Sequence, residues 1–551
     1  MLARIVKPPH PNASPRAFMA AGKLSVLVAL IALCAPALAA PPKPAVTAPL
    51  GSVKFQPAPE QPVGWRGDGT GRYPGATPPT SWERKVSGDA YTTKGIVWMV
   101  PLPNIGVSMP IVVGDRIFLT SEVCDLVCLD KQTGRVLWIR SNSEFEGLSD
   151  DERKANPVYA EKLVLLAADL AKANADAVTA LNARLANATT TAAPRSPEPA
   201  LKLKRDLEKK IQDAQLAIDK KLFERYWGQA VFGFSGPTPT SDGQHVCAFF
   251  TTGVAACYDL DGNRQWIARG GGGGSEHGNF ASPLLCGNRL VVWAHELRAY
   301  EVALGKLAWS NVAKAFNTYG SLFRLESGGE SVACFQWGFF TRVRDGQPIW
   351  DKGAFGDSVA TPIVEGDTIF ARGGYPKYND KTSGLKAFKI PASTESGKFE
   401  PAYDFKADWA DDEIPVDKQK NPFDRGFNSS PLYVDGLVYQ LTQGGGLLVN
   451  DAATGALVYR KVLPLKPRTQ YWNWAGCSAS PTLAGKLIFV MDNQGTTLVL
   501  QPGREYKLVA ENFLAESKDG KEQAQTVSTP IFEGTRMYYR TPGFLYCIGE
   551  K

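Results

Sequence analysis

Short apolar stretches separated by glycine-containing turns recur along most of the chain. Each unit begins with a small or polar residue and a proline, has glycine four positions after the proline, and continues into an apolar strand, as in Pro110–Gly114 with Ile117–Leu119. Glycine supplies the positive φ of tight turns, and side chains of a strand alternate between faces, so the unit predicts antiparallel strands. Further openings start at Pro239, Pro283, Ser321 (a degenerate copy), Pro362, Pro431 (with its glycine one position late), Pro481 and Pro530.

A second pattern ends the units: an acidic residue, a turn with glycine, and an aromatic residue four positions after that glycine. One four-stranded antiparallel blade cannot cover both of its own faces, so these aromatic rings are predicted to lie flat between neighbouring blades. The aromatic residues of this blade motif are Trp138, Trp266, Trp309, Trp350 and Tyr459.

The number and spacing of the openings predict an all-β fold, an eight-bladed β-propeller of four-stranded antiparallel blades. Most openings follow one another at steps of about 40–50 residues, which is typical of propeller repeats. The last copy stops after its third strand, at residues 544–548, and an aromatic-bearing strand at residues 95–100 precedes the first opening. Pairing these two strands would close the ring and remove an exposed sheet edge. An open solenoid is the structural alternative.

Residues 149–227 interrupt the repeat with helical sequence. Ser149 followed by three acidic residues resembles a helix start, and a Pro-rich turn at residues 194–199 divides two leucine-rich stretches. Apolar residues at three- and four-residue steps in both stretches predict an inserted antiparallel coiled-coil helical hairpin. Three outcomes are open: the hairpin packs on the rim of the propeller, it extends about 40 Å from the propeller as a docking arm for a partner, or the segment is disordered.

Composition and charge exclude several classes of protein. Hydrophobic residues make up 44% and charged residues 21% of the 551 residues, which is too apolar for global disorder. Four cations and no acidic residue lie within residues 1–39, so most of the formal net charge of +6 belongs to this segment. No basic patch remains to favour nucleic acid. With three histidines after residue 40, a multi-histidine metal site is excluded.

The first 39 residues have the pattern of a secretory signal peptide. An apolar run from Leu24 ends in Ala37-Leu38-Ala39, after Arg16 and Lys23. We therefore expect an exported, periplasmic protein with no transmembrane segment in the mature chain; an uncleaved anchor or lipidation at Cys34 would make it membrane-associated, and Met19 is an alternative start. The predicted regions are 1–39 (signal peptide), 40–94 (N-terminal extended segment), 95–148 (closing strand and first blade), 149–227 (hairpin) and 228–551 (remaining blades).

Export permits disulfides among the eight later cysteines, but their positions favour a different role. Cys128, Cys257 and Cys547 occupy one repeat position where other copies carry alanine or valine, which predicts small buried core residues. The pair Cys124 and Cys128 is the best candidate for a disulfide. No CxxCH motif is present, so no c-type haem site is expected.

The repeats resemble those of the pyrroloquinoline-quinone-like propeller superfamily. The segment Cys128–Trp138 is similar to the tryptophan-docking motif of quinoprotein dehydrogenases, and Asn450–Gly455 is a partial second copy. The segment Gly64–Gly71 resembles a WRG…DG stretch that precedes such propellers. The resemblance implies one of two functions, that of a quinoprotein alcohol or sugar dehydrogenase or that of the non-catalytic propeller of outer-membrane protein assembly. Fold alone does not choose between them.

Loops that lead into the innermost strands of a propeller meet around its central channel, and here they carry polar and aromatic residues. A quinone would need an aromatic side chain to stack on, a cation for its carboxylates, oxygen ligands for Ca²⁺ and a base for the alcohol proton. The residues that could fill these roles are Trp472, Trp474, Asn473 and Arg425 (cofactor), Glu276 and Asn428 (metal) and Asp357 (base).

The interpretation favoured by the sequence is an exported, non-catalytic propeller that binds proteins through its helical hairpin or its central funnel, without a cofactor. The funnel could also hold a small molecule. The alternative is a dehydrogenase that oxidises an alcohol or sugar with pyrroloquinoline quinone and Ca²⁺.

Overall fold

In the computed structural model, the repeat units form short antiparallel strands whose successive side chains point to opposite faces of a sheet. The fold is all-β and propeller-like, and its strands and helices belong to one compact unit, Thr47–Lys551. The structure describes residues 48–87, 90–185, 198–224, 233–270, 280–294, 296–311, 319–350, 353, 355, 359–373, 384–394, 401–404, 423, 428–467, 476–515 and 527–550. The predicted signal peptide, residues 1–39, and Cys34 lie outside these ranges.

Among the described residues, four strands precede the first opening: β1 (Arg72–Tyr73), β2 (Glu83–Ser87), β3 (Ala90–Lys94) and β4 (Ile96–Pro101). Sheet 1 contains β5 (Ile111–Val113), β6 (Arg116–Ser121), β7 (Asp125–Asp130) and β8 (Val136–Ser141). The helices that follow are α1 (Asp150–Lys154), α2 (Val164–Leu185), α3 (Glu198–Ile218) and α4 (Lys220–Phe223).

As far as the structure describes them, five further sheets are each four-stranded and antiparallel. Sheet 2 contains β9 (Thr240–Ser241), β10 (His245–Phe249), β11 (Val254–Asp259) and β12 (Arg264–Arg269); sheet 3 contains β13 (Leu284–Cys286), β14 (Arg289–Trp293), β15 (Leu297–Glu301) and β16 (Leu307–Asn311). Sheet 4 contains β17 (Phe323–Ser327), β18 (Glu330–Cys334), β19 (Phe340–Arg342) and β20 (Pro348–Trp350). Sheet 5 contains β21 (Ile363–Glu365), β22 (Thr368–Gly373), β23 (Gly384–Lys389) and β24 (Pro401–Asp404); sheet 6 contains β25 (Leu432–Val434), β26 (Leu437–Leu441), β27 (Gly446–Asp451) and β28 (Leu457–Val462).

The last two sheets both recruit strands from the N-terminal part of the chain. Sheet 7 contains β29 (Thr482–Ala484), β30 (Leu487–Met491), β31 (Thr496–Leu500) and β32 (Leu508–Leu514), with β1 added in parallel at one edge and the β2–β3 hairpin at the other. Sheet 8 contains β33 (Ile531–Glu533), β34 (Arg536–Arg540), β35 (Phe544–Gly549) and β4. The predicted pairing of residues 95–100 with 544–548 is confirmed, with Trp98 opposite Cys547.

Tryptophan rings lie against the turn glycines of the following sheet. A Cβ on Gly262 would approach the Trp138 ring to 2.8 Å, and the Trp138 Nε1 donates a hydrogen bond to the Leu260 carbonyl at 3.3 Å. Only glycine at this turn lets the ring approach so closely. The same contact joins Trp98 to Gly134, Trp266 to Gly305 and Trp309 to Gly346. Trp350 and Tyr459 lie partly buried against the clusters between sheets 4 and 5 and between sheets 6 and 7.

The cysteines of the described residues are buried free thiols, and Cys124 and Cys128 are not joined by a disulfide. Burial in the apolar sheet faces raises the pKa of the Cys128 and Cys334 thiols. A buried thiol with a raised pKa is a poor nucleophile, so these residues fill core space.

Helices α2 and α3 pack together and against the rim of sheet 1. The start of α2 shares an apolar cluster with the end of α3, whereas Leu181, near the end of α2, clusters with Leu201. The Asn182 side-chain amide donates to the Val136 carbonyl at 2.8 Å and accepts from its N–H at 2.9 Å, so it covers part of the outer edge of β8. Within the described ranges, no helix is long and apolar enough to span a membrane.

Candidate functional site: the central cavity

A ring of hydroxyl groups joins the innermost ends of the eight sheets formed by the described residues. In each of seven consecutive steps, a backbone N–H donates to the side-chain hydroxyl of the next sheet, over 2.7 to 3.4 Å. The residues in this ring are those that open the repeat units, which explains why a small polar residue precedes the proline. They are Met109, which donates only, then Thr238, Ser282, Ser321, Thr361, Ser430, Ser480 and Thr529.

These ring residues line a cavity of about 770 Å³. Its size is within the usual range of ligand sites. Apolar side chains from the loops that lead into the innermost strands complete the lining, and two of them, Ile105 and Val527, are 60% and 38% exposed. The apolar lining residues include Ile105, Val107, Phe280, Val359, Val527 and Pro542.

The N-terminal segment closes the opposite end of the cavity, where the turns after the innermost strands lie. Gly534 N–H donates to the Gly51 carbonyl at 2.7 Å, and Val63 exchanges two backbone hydrogen bonds with Ser241. Trp65, two residues after Val63, lines the cavity. The cavity is therefore bounded at one end by residues that precede the first repeat.

Arg66 fixes this closing segment in place. Its side chain is fully buried, and its guanidinium donates to the carbonyl oxygens of Pro431 and Pro481 at 2.9 and 2.8 Å. Burial disfavours the charged form and lowers the pKa of Arg66 to about 10, although the charge of Asp68 opposes the decrease. At neutral pH the guanidinium stays charged and joins sheets 6 and 7 through their backbone.

Glu122, at the end of β6, is the carboxylate among the described lining residues. It accepts hydrogen bonds from the Phe234 and Ser235 N–H groups, each at 2.9 Å, and from the Ser235 hydroxyl at 2.6 Å. Burial raises the pKa of Glu122, and these donors and the positive charge of Arg540 oppose the increase. A carboxylate that already accepts from three donors serves structure better than proton transfer.

Arg540 is a buried cation whose charge acts on this carboxylate. Its guanidinium donates to the Ser108 carbonyl at 2.9 Å and also contacts the Ser108 hydroxyl. Burial lowers the pKa of Arg540 to about 9, and the charge of Glu122 opposes the decrease. Glu122 and Arg540 were not predicted from the sequence, because each lies at the end of an ordinary strand and its partners come from another sheet.

The predicted cofactor and metal residues fall mostly on segments that the structure does not describe. Asn428 lines the cavity. The described residues contain no cluster of three histidine, cysteine or acidic side chains suited to a metal ion. Of the residues predicted to hold Ca²⁺ and a quinone, the described lining therefore contains Asn428. The predicted residues outside the described ranges are Glu276, Asp357, Arg425, Trp472, Asn473 and Trp474.

Comparison with known proteins identifies a matching family. The family model described as "Outer membrane protein assembly factor BamB" matches residues 84–205 and 340–548, more than half of the chain. Among solved structures, the chain is similar to BamB from Moraxella catarrhalis (12% identity over 56% of this chain and 81% of that one, TM-score 0.40). It is also similar to quinohemoprotein alcohol dehydrogenase from Comamonas testosteroni (11% identity over 83% of this chain and 77% of that one, TM-score 0.46). No curated protein sequence matches it.

Proposed function

We propose that this chain, which belongs to the outer membrane protein assembly factor BamB family, is a non-catalytic propeller that binds other proteins in the cell envelope. In this proposal the eight sheets are the blades of one closed ring, and α2 and α3 form the predicted coiled-coil hairpin on its rim. The chain is exported to the periplasm and takes part in outer-membrane protein assembly.

The observation that carries the proposal is the chemistry of the central cavity. Its described lining combines hydroxyl groups that already accept backbone N–H bonds, apolar side chains at the loops, and a carboxylate that accepts three hydrogen bonds. Such a lining offers apolar contact area and scattered hydroxyl donors, which suits an inserted peptide segment. It lacks, in its described part, a carboxylate available as a base.

A crosslinking experiment tests the binding function. A photocrosslinking residue at Ile105, which lines the cavity and is 60% exposed, should capture an outer-membrane β-barrel protein or a component of its assembly machinery in the periplasm. The same residue at Leu304, which is 70% exposed in the turn between β15 and β16, is the matched control. Equal yields from the two positions, or capture of unrelated proteins alone, would contradict the proposal.

The dehydrogenase alternative retains one supporting observation, which is that Asn428, predicted as a metal ligand, lines the cavity. Bound quinone would supply a two-electron acceptor for alcohol oxidation. Purified mature chain should show no saturable quinone binding with Ca²⁺ at micromolar concentration and no dye-linked alcohol oxidation. Tight binding together with dye reduction would replace the scaffold proposal with the enzyme.

A further inference from the structure

We propose that the helical insertion creates a second ligand site, for a small carboxylic acid with one negative charge and a hydroxyl group. This site goes beyond the proposed scaffold function and does not depend on it. It is a cavity of about 290 Å³ between helix α2, sheet 1 and sheet 2. All of its lining residues are described by the structure.

The cavity has an apolar wall and a polar wall. Helix α2 supplies the apolar wall through Ala167, Leu170 and Ala171. The polar wall comes from the two sheets and the segment after β8, which contact each other directly, and helix α2 covers the space between them. Its polar lining residues are Arg140, Ser141, Ser143, Glu146, Tyr258 and Arg264.

Asn174 on α2 has a buried oxygen atom that needs a hydrogen-bond donor. Ser141 donates its hydroxyl proton to Asp125 at 2.6 Å, so the group of Asn174 that faces Ser141 at 3.0 Å must be its NH₂. This fixes the orientation of the amide and leaves Oδ1 as an acceptor. Asn174 is 5% exposed and lines the cavity, and its Oδ1 has no partner among the described residues.

Arg140 presents an available charged donor to the same cavity. Its Nε and Nη1 donate to the carbonyl oxygens of Gly262 and Ile139 at 2.7 and 3.1 Å, and its guanidinium lies over the Trp138 ring. These contacts hold the group in place, while Nη2 has no hydrogen-bond partner within the described structure. A preorganised guanidinium edge is suited to a carboxylate.

The charges of the lining set the charge of the ligand. Arg264 donates to Glu146 at 2.8 Å, so these two side chains largely neutralise each other. Arg140 then leaves the lining with one excess positive charge, which matches one carboxylate. The unpaired Asn174 oxygen requires a donor on the same ligand, and a hydroxyl group meets this need. The volume is at the lower limit for ligand sites, so the ligand is small.

Isothermal titration of the purified mature chain tests the site directly. The probes are lactate, gluconate and glucuronate, with acetate as the acid that lacks a hydroxyl and glucose as the polyol that lacks a charge. We expect at least one hydroxy acid to bind about tenfold more tightly than acetate, because only it satisfies both Arg140 and Asn174. Glucose should not bind.

Two variants and a control assign the binding to this cavity. Asn174→Leu removes the acceptor, and Ala171→Phe fills the entrance from an exposed position on α2 without altering a polar group. Each should weaken binding about tenfold or more, whereas Lys172→Ala, at a side chain that is 79% exposed, should not. If the hydroxy acids bind no better than acetate, or if Ala171→Phe binds them like the unmodified chain, the site does not exist.

Discussion

Replacing Lys204 with methionine should release the helices from sheet 1. Lys204 Nζ lies 2.6 Å from the Asp125 carboxylate and also contacts the carboxylate of Glu208. The three side chains are 1%, 0% and 8% exposed. Without the lysine, two carboxylates face each other away from water and repel each other. The smallest rearrangement that returns both carboxylates to water is the separation of α3 from β7.

Removing one partner of a buried ion pair typically costs about 3–5 kcal/mol, because the remaining charge stays buried. If the helices open as a local unit, amide hydrogen exchange in α3 should accelerate by about two to four orders of magnitude. Peptides from β27, in the distant sheet 6, should exchange as before. Mass spectrometry of the purified protein resolves both regions in one measurement.

Lys202→Met is the matched control on the same helix. Lys202 pairs with Asp206 on the surface, where the two side chains are 68% and 50% exposed, so its loss should change stability by less than about 1 kcal/mol. The Lys204→Met effect should also shrink at pH 5, because burial raises the pKa of Glu208 to about 7 and the carboxyl can then be neutral. Unchanged α3 exchange in Lys204→Met would refute the reasoning.

Three further changes test other parts of the structure. Since the native Glu208 keeps a proton that the unfolded chain loses near pH 4.5, the stability of the helices should fall as the pH rises from 4.5 to about 7. Glu208→Gln should weaken this dependence in urea titrations followed by proteolysis, and the Asp125 carboxyl, whose pKa burial also raises, should keep part of it. Trp266→Ala should cost about 3–5 kcal/mol by urea unfolding, against about 0.5 kcal/mol or less for Leu304→Ala. Lys131→Met should cost about 3 kcal/mol by the same method, because Glu533, whose pKa burial raises, loses its cation 2.9 Å away.

Sequence patterns predicted the parts of the fold that repeat. Gly262 and Trp138 belong to different units, and the spacing within each unit sufficed to place a ring between neighbouring sheets. The closing strand β4 was also predictable, because the last unit lacks a fourth strand and an open edge is unfavourable. Both predictions depend on local turn chemistry and on the need to cover sheet faces.

The contacts that occur once could not be predicted in this way. Arg66 bonds to the carbonyl of Pro481, more than 400 residues later in the chain, and no spacing rule relates the two positions. The same limit applies to the parallel pairing of β1 with β29. Lys204 looks in sequence like any charged residue on an amphipathic helix, and only its burial against Asp125 makes it structurally decisive. The cavity beneath α2 exists because the helices pack on sheet 1, so it could not be predicted from the sequence either.

The meeting of sheets 8 and 1 shows how a fold closes where its repeat pattern fails. Met109 occupies the ring position at which the other sheets present a hydroxyl. A backbone N–H of sheet 8 therefore has no hydroxyl oxygen to donate to at the step from sheet 8 to sheet 1. The Met109 sulfur instead accepts from the Arg66 N–H at 3.4 Å. Other contacts span the seam: Arg540 donates to Ser108, and Lys131 pairs with Glu533. Because β4 also pairs with β35 in sheet 8 directly before the chain enters sheet 1, contacts at several places join these two sheets, and no single substitution among them should separate the sheets.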